Sequence, residues 1–209
     1  KSLRSSPFEN IKVKTIKIQD YEADGLFISP PKTKRKTSYY GEIEYQLKNR
    51  QMLKPKELRL NYLYGIKNNQ NLVNSLQLTL TAEKFYNKNY DKIKWRFFAG
   101  YHLNSDIINQ YSFYLSGKNG RNDFLYDNTY IARSSTNTEH LLSRQNDNSY
   151  GSFKAIDNKS RSNSWMISNN FKIDIPKTPV GIFADLGVYE ETYRENKLSW
   201  DYNAGIYFS

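Results

Sequence analysis

The sequence predicts an all-β protein, an antiparallel meander of about nine or ten strands curled into a barrel or partial barrel. Three observations predict it. The clearest is the stretch Ile-Lys-Trp-Arg-Phe-Phe-Ala-Gly-Tyr-His-Leu from Ile93 to Leu103. Ile93, Trp95, Phe97, Ala99, Tyr101 and Leu103 alternate there with Lys94, Arg96, Phe98, Gly100 and His102. Successive side chains of a strand point to opposite faces, so this segment has one apolar, aromatic wall and one mixed, basic wall. The second observation is that the pattern recurs along the chain. The third is that no segment shows a convincing helical period, while turns and longer polar loops separate the alternating runs.

At about 3.3 Å per residue the 93–103 strand would run roughly 35 Å, long for a soluble domain. A tilted strand of this kind, apolar outward and polar inward, fits a membrane-spanning barrel of the outer-membrane type. A soluble β-sandwich, with the aromatics filling its core, is the alternative that periodicity alone leaves open.

Composition bounds the rest. The 209 residues suffice for a domain with a core. The net charge of +10 is spread along the chain. With no Cys, disulfides and thiol chemistry are excluded; the absence suits an oxidising cell envelope at least as well as a cytosol. Aromatics are abundant: 18 Tyr, 11 Phe and 3 Trp. No run approaches the length of a transmembrane helix, which leaves a β-barrel open. The overall polarity weighs against membrane insertion. The chain starts at Lys1 without a signal peptide, which suggests a mature chain or a fragment.

The elements follow in order. Residues 1–10 are polar and irregular, and Ile11, Val13 and Thr15 begin a first strand. Residues 19–37 read as a loop with Pro30-Pro31 and the basic cluster Lys32, Lys34, Arg35 and Lys36, so 1–37 forms an N-terminal strand and basic loop ahead of a barrel-like domain over 38–209. The second strand, about 38–48, sets Tyr39, Gly41, Ile43, Tyr45 and Leu47 against Tyr40, Glu42, Glu44 and Gln46. The third sets Leu58, Leu60, Tyr62 and Tyr64 against Arg59, Asn61 and Leu63, and ends in the polar turn 67–71. The fourth sets Leu76, Leu78, Leu80 and Ala82 against Gln77, Thr79, Thr81 and Glu83. The 93–103 strand is the fifth.

Tyr111, Phe113 and Leu115 suggest a short sixth strand, and the polar interval 117–163 suggests one more near 150–155. Trp165, Ile167, Asn169, Phe171, Ile173 and Ile175 mark a seventh strand, ended by Pro176-Lys-Thr-Pro179. Ile182, Ala184, Leu186 and Val188 mark an eighth, and Leu198 to Phe208 a ninth. This count puts 67–71, 104–110 and 176–179 on one rim and 49–55, 87–91, 117–163 and 190–197 on the other. Tyr101, Tyr111, Trp165, Tyr189, Trp200 and Phe208, near strand ends, are candidates for interfacial girdles.

Five segments carry a family resemblance: Ile93-Lys-Trp-Arg-Phe-Phe-Ala-Gly100, Asp123-Phe-Leu-Tyr-Asp-Asn-Thr-Tyr-Ile-Ala-Arg-Ser134, Gly151-Ser-Phe-Lys154, Ser162-Asn-Ser-Trp-Met166 and Ile182-Phe-Ala-Asp-Leu-Gly187. In this order and spacing they resemble the C-terminal region of large aminopeptidase-N-like (gluzincin) zinc metallopeptidases of certain Gram-negative bacteria. The resemblance spans about residues 38–208 and rests mainly on 93–187. It implies a β-rich, barrel-like region following a zinc peptidase domain in the same polypeptide. It also implies an outer-membrane or periplasmic location, a lipid environment, and a chain that continues past Ser209; an open last edge would fit such truncation. The peptidase motif H-E-x-x-H, which holds zinc between two His with the Glu activating water, is absent, since neither His102 nor His140 begins it. Zinc is therefore expected only in the upstream domain, and no catalytic, cofactor or metal residue carries over to this chain.

The residues offer little other chemistry. His102 and His140 stand alone and read as ordinary polar positions. Glu42 and Glu44 lie on one strand face about 7 Å apart, which suits a solvated or lumenal face better than a glycosidase pair across a cleft. The basic cluster at 32–36 reads as a solvated loop rather than a polyanion site. Nucleic acid is disfavoured, because the aromatics share a face with Leu and Ile rather than with Lys and Arg. The long loop is the best candidate for a specific role: Asp123, Tyr126, Asp127, Tyr130 and Arg133 are expected to order it as a cap, plug or partner contact. The sequence thus points to a non-catalytic outer-membrane accessory domain, with a soluble protein- or glycan-binding β-domain as the alternative.

Overall fold

The computed structural model describes residues 7–24, 32–49, 51, 53–67, 70–87, 91–104, 110–118, 149–154, 160–192 and 197–208, with the side chains of 20–24 and 32–35 left out. Every regular element among them is a strand. They are β1 (Phe8–Asp24), β2 (Lys32–Asn49), β3 (Lys56–Lys67), β4 (Gln70–Phe85), β5 (Lys92–His102), β6 (Phe113–Tyr114), β7 (Arg161–Ser162), β8 (Trp165–Asp174), β9 (Val180–Glu190) and β10 (Leu198–Phe208). Eight form one antiparallel sheet in the order β1-β2-β3-β4-β5-β8-β9-β10, and β6 pairs only with β7. The sheet is a meander with β1 and β10 at its edges, and among the described residues it does not close into a barrel.

The expected loop at 19–37 is largely strand. β1 runs on to Asp24 and β2 starts at Lys32, with Asp20, Glu22 and Asp24 at register positions opposite Lys36, Lys34 and Lys32. Opposite charges at paired positions favour strand pairing. The basic cluster therefore stands on a strand of the main sheet, and the boundary expected at residue 37 falls inside β2.

The expected sixth strand is a two-residue β6 outside the main sheet, and the short strand lies at 161–162 rather than near 150–155. With 103–164 a single insertion between β5 and β8, the rims sort differently from the expectation. Connections 25–31, 68–69, 103–164 and 191–197 share one rim; 50–55, 86–91 and 175–179 share the other. All three longest connections now lie at the same end.

The two faces of the sheet are sorted by residue type. One presents exposed large apolar side chains, among them Ile43, Leu60, Leu76, Ile167, Leu186 and Trp200. The other buries Ser75, Arg96, His102, Ser168, Asn170 and Asp185. The aromatics and aliphatics covering this second face come largely from the insertion: Phe113, Leu115, Tyr150 and Phe153 cluster with Phe98, Met166 and Tyr189, and Tyr111 joins Tyr40, Leu63 and Val73. Of the candidate girdle residues, Tyr101, Trp165, Trp200 and Phe208 belong to the outward strand faces, whereas Tyr189 is buried against the insertion and Tyr111, itself in the insertion, is buried against Tyr40, Leu63 and Val73.

Candidate functional site

The site is the inner face of the sheet together with the segments folded onto it. Strand alternation brings Arg96, Phe98, Gly100 and His102 of β5 to this face, with Met166, Ser168 and Asn170 of β8 and Phe183, Asp185 and Gly187 of β9 beside them. Residues 110–118, 149–154 and 160–164 lie against these strands. Small residues make the approach possible. An added Cβ at Gly100 would stand 2.8 Å from the Phe113 ring, and one at Gly187 would collide with Leu115. Glycine inside a strand often marks such close approach of another chain segment.

The inserted turn is held by its backbone. Arg96 Nη1 donates to the Tyr150 carbonyl at 2.7 Å and to Asn170 Oδ1 at 3.2 Å. Asn170 Nδ2 donates to the Gly151 carbonyl and to Asp185 Oδ1, both at 2.9 Å. The Lys154 amide donates to Asp185 Oδ2 at 3.1 Å. Backbone bonds from Gly151 to Tyr114 (3.1 Å) and from Phe153 to Leu115 (2.8 Å) tie the two inserted segments to each other. Tyr150 and Ser152 take left-handed backbone conformations, with φ of 44° and 53°. That geometry costs non-glycine residues about 1–2 kcal/mol each, and the surrounding bonds and packing offset it.

Glu42 and Glu44 lie on the inner face within an ionic lattice. Lys12 Nζ is 3.2 Å from Glu44, Lys14 Nζ 3.5 Å from Glu42, and Arg59 Nε 3.6 Å from Glu44. Cations thus engage both carboxylates. His102 is buried, its ring stacked on Phe113 with centroids 4.1 Å apart. It is a packing element rather than the ordinary polar position expected. Among the described residues no group of three or more His, Cys, Asp or Glu is placed to hold a metal.

The candidate residues Asp123, Tyr126, Asp127, Tyr130 and Arg133, and also His140, lie outside the described residues. Arg96, Gly151 and Asp185 fall within the segments that carry the resemblance, but the sequence assigns neither them nor Asn170 and Tyr150 to holding the inserted turn. The available signal was the set of glycines and serines at inward strand positions, such as Gly100, Ser168 and Gly187. No family model, no curated protein and no solved structure matches the chain.

Proposed function

We propose that this chain is a non-catalytic outer-membrane β-barrel accessory domain that anchors or presents a larger zinc metallopeptidase at the Gram-negative cell envelope. One observation carries the membrane part: burial is inverted across the sheet. Trp200, Ile206 and Phe208 are 63%, 66% and 79% exposed, while Arg96, Asn170 and Asp185 are 6%, 7% and 3% exposed. Water favours the reverse, and so large a continuous apolar face marks a surface that meets lipid or another protein. Half of the sheet's strands have lengths that suit lipid: β5, β9 and β10 have 11 residues and β8 has 10, the span of a tilted bilayer-crossing strand, while β1, β2, β3 and β4 run to 17, 18, 12 and 16. The long connection 103–164 suits the long-loop end of such a barrel, although the two-residue connection 68–69 shares its rim. The peptidase part rests on the five-segment resemblance alone.

A second reading, a soluble β-domain for protein or glycan, is favoured by the mean hydropathy of −0.81. It would require a partner to cover the apolar face.

Fractionating cells that express the chain behind a secretion signal separates the two. Retention in the membrane pellet through alkaline carbonate and urea washes is expected. Release by either wash would sink the membrane reading. Finding no H-E-x-x-H in the polypeptide that carries this chain would remove the peptidase link.

A further inference from the structure

We propose that the outward face sits in a bilayer with its strands tilted by about 35°, so that Tyr39, Tyr64, Tyr101, Trp165 and Trp200 form one girdle at the lipid headgroups on the rim of the 103–164 connection. The proposal rests on the membrane reading above and adds the tilt and depth at which lipid meets the sheet.

The strand ladders carry it. Straight across the sheet, Tyr39 is level with Lys17 of β1, and Tyr64, through Gly41, with Thr15. Tyr101 and Trp165 face each other and trace through Leu76, Tyr62 and Ile43 to Val13. Trp200 traces through β9, β8, β5, β4, β3 and β2 to Ile11. The row thus descends six residues over the six strand spacings from β2 to β10. At roughly 3.3 Å per residue and 4.8 Å per strand, it lies about 35° off the perpendicular to the strands. Outer-membrane strands tilt by roughly 35–45°, and at such a tilt the row is level in the bilayer.

Charge agrees with this placement. From the row towards the opposite rim, the described outward positions carry no charged side chain until Glu9, Lys56 and Lys84. Tyr64 to Lys56 is eight residues along β3, roughly 22 Å of depth at this tilt, close to the apolar band of about 25 Å in such barrels. Lys17 stands in the row, its Nζ 5.7 Å from the Tyr39 ring centroid. Lysines at both limits suit lipid phosphates, and the uncharged band between them suits acyl chains. Asn169, inside the band, accepts from Trp95 Nε1 at 3.2 Å, so each polar group enters hydrocarbon with a partner.

The chain has no cysteine, so single variants can each carry one fluorophore. Thr15→Cys, Ala99→Cys and Ala204→Cys occupy ladder levels up to eight residues apart, yet the tilt brings them to one depth. Ala82 shares a ladder level with Ala204, and the tilt sets it about four residues nearer the opposite interface. The probe is a phosphatidylcholine vesicle with nitroxides at graded depths. The first three sites should report depths within roughly 3 Å of each other, and Ala82→Cys should lie about 11 Å away. Ala82 and Ala204 at one depth, with Thr15 roughly 26 Å from both, would mean upright strands and overturn the tilt while keeping the bilayer. Any other spread among the first three sites also overturns it. Quenching at none of the four sites in a folded chain overturns the proposal and the membrane reading together. Ala184→Cys, level with Ala204, replaces that variant should it fold poorly.

Discussion

Arg96 Nη1 lies 2.7 Å from the carbonyl oxygen of Tyr150, so a cation in the middle of a sheet strand holds the backbone of a turn far along the chain. Both residues are buried, at 6% and 3% exposure. The inserted turn is therefore part of the folded inner face, and each bond around it makes a separate prediction.

Replacing Arg96 by Met keeps much of the side-chain length and removes the donors to Tyr150 and Asn170. The loss should cost about 2–3 kcal/mol, as for hydrogen bonds to a charged group. Denaturant unfolding would show the lowered midpoint, and hydrogen exchange would show faster exchange at 149–154 than in the sheet. Unchanged exchange at 149–154 would mean that packing, not Arg96, holds the turn.

Asp185 accepts from Asn170 and from the Lys154 amide. Asp185→Ala leaves both donors buried without that acceptor and should destabilise by about 1–3 kcal/mol. Asp185→Asn retains one acceptor oxygen and should cost less. Equal losses in the two variants would place the role of Asp185 outside these bonds.

The glycines separate close approach from mere strand occupancy. An alanine Cβ at Gly151 falls on the Leu115 backbone, whereas at Gly41 it meets nothing within 4 Å. Gly151→Ala should cost about 1–3 kcal/mol through overpacking. Gly41→Ala should be neutral or stabilising by about 0.5–1 kcal/mol, because it restricts the unfolded chain. Thermal melts of the pair, side by side, are the measurement, and the ordering of the two is the prediction.

Leu186 sits in the middle of β9 on the outward face, 48% exposed. Leu186→Arg should weaken folding into lipid vesicles by about 2–4 kcal/mol if this face meets the bilayer core. A surface facing water would register no more than about 0.5 kcal/mol. Refolding titrations into vesicles distinguish those magnitudes.

Much of the main sheet was legible because strand alternation is local. Leu58, Leu60 and Tyr62 against Arg59, Asn61 and Leu63 already separate the two faces of β3, and the structure keeps that separation. Tyr111, Phe113 and Leu115 show the same alternation, yet Phe113 pairs with Ser162 on the inner face. Three alternating residues cannot say which strand they join. The 19–37 segment failed for the opposite reason: its charges looked like a loop until the hairpin register set acidic against basic positions.

The sequence by itself determined the all-β class seen in the described residues, where most strands of the main sheet lie, and which of their residues share a face. These depend on side-chain period and turn chemistry, which neighbouring residues carry. Only the tertiary structure decided which face is covered and by what. Burial of Arg96, Asn170 and Asp185 beneath the turn at Tyr150 and Gly151 requires contacts between residues far apart in the chain. The small side chains that permit such contacts do not name the segment that will fill the space they leave.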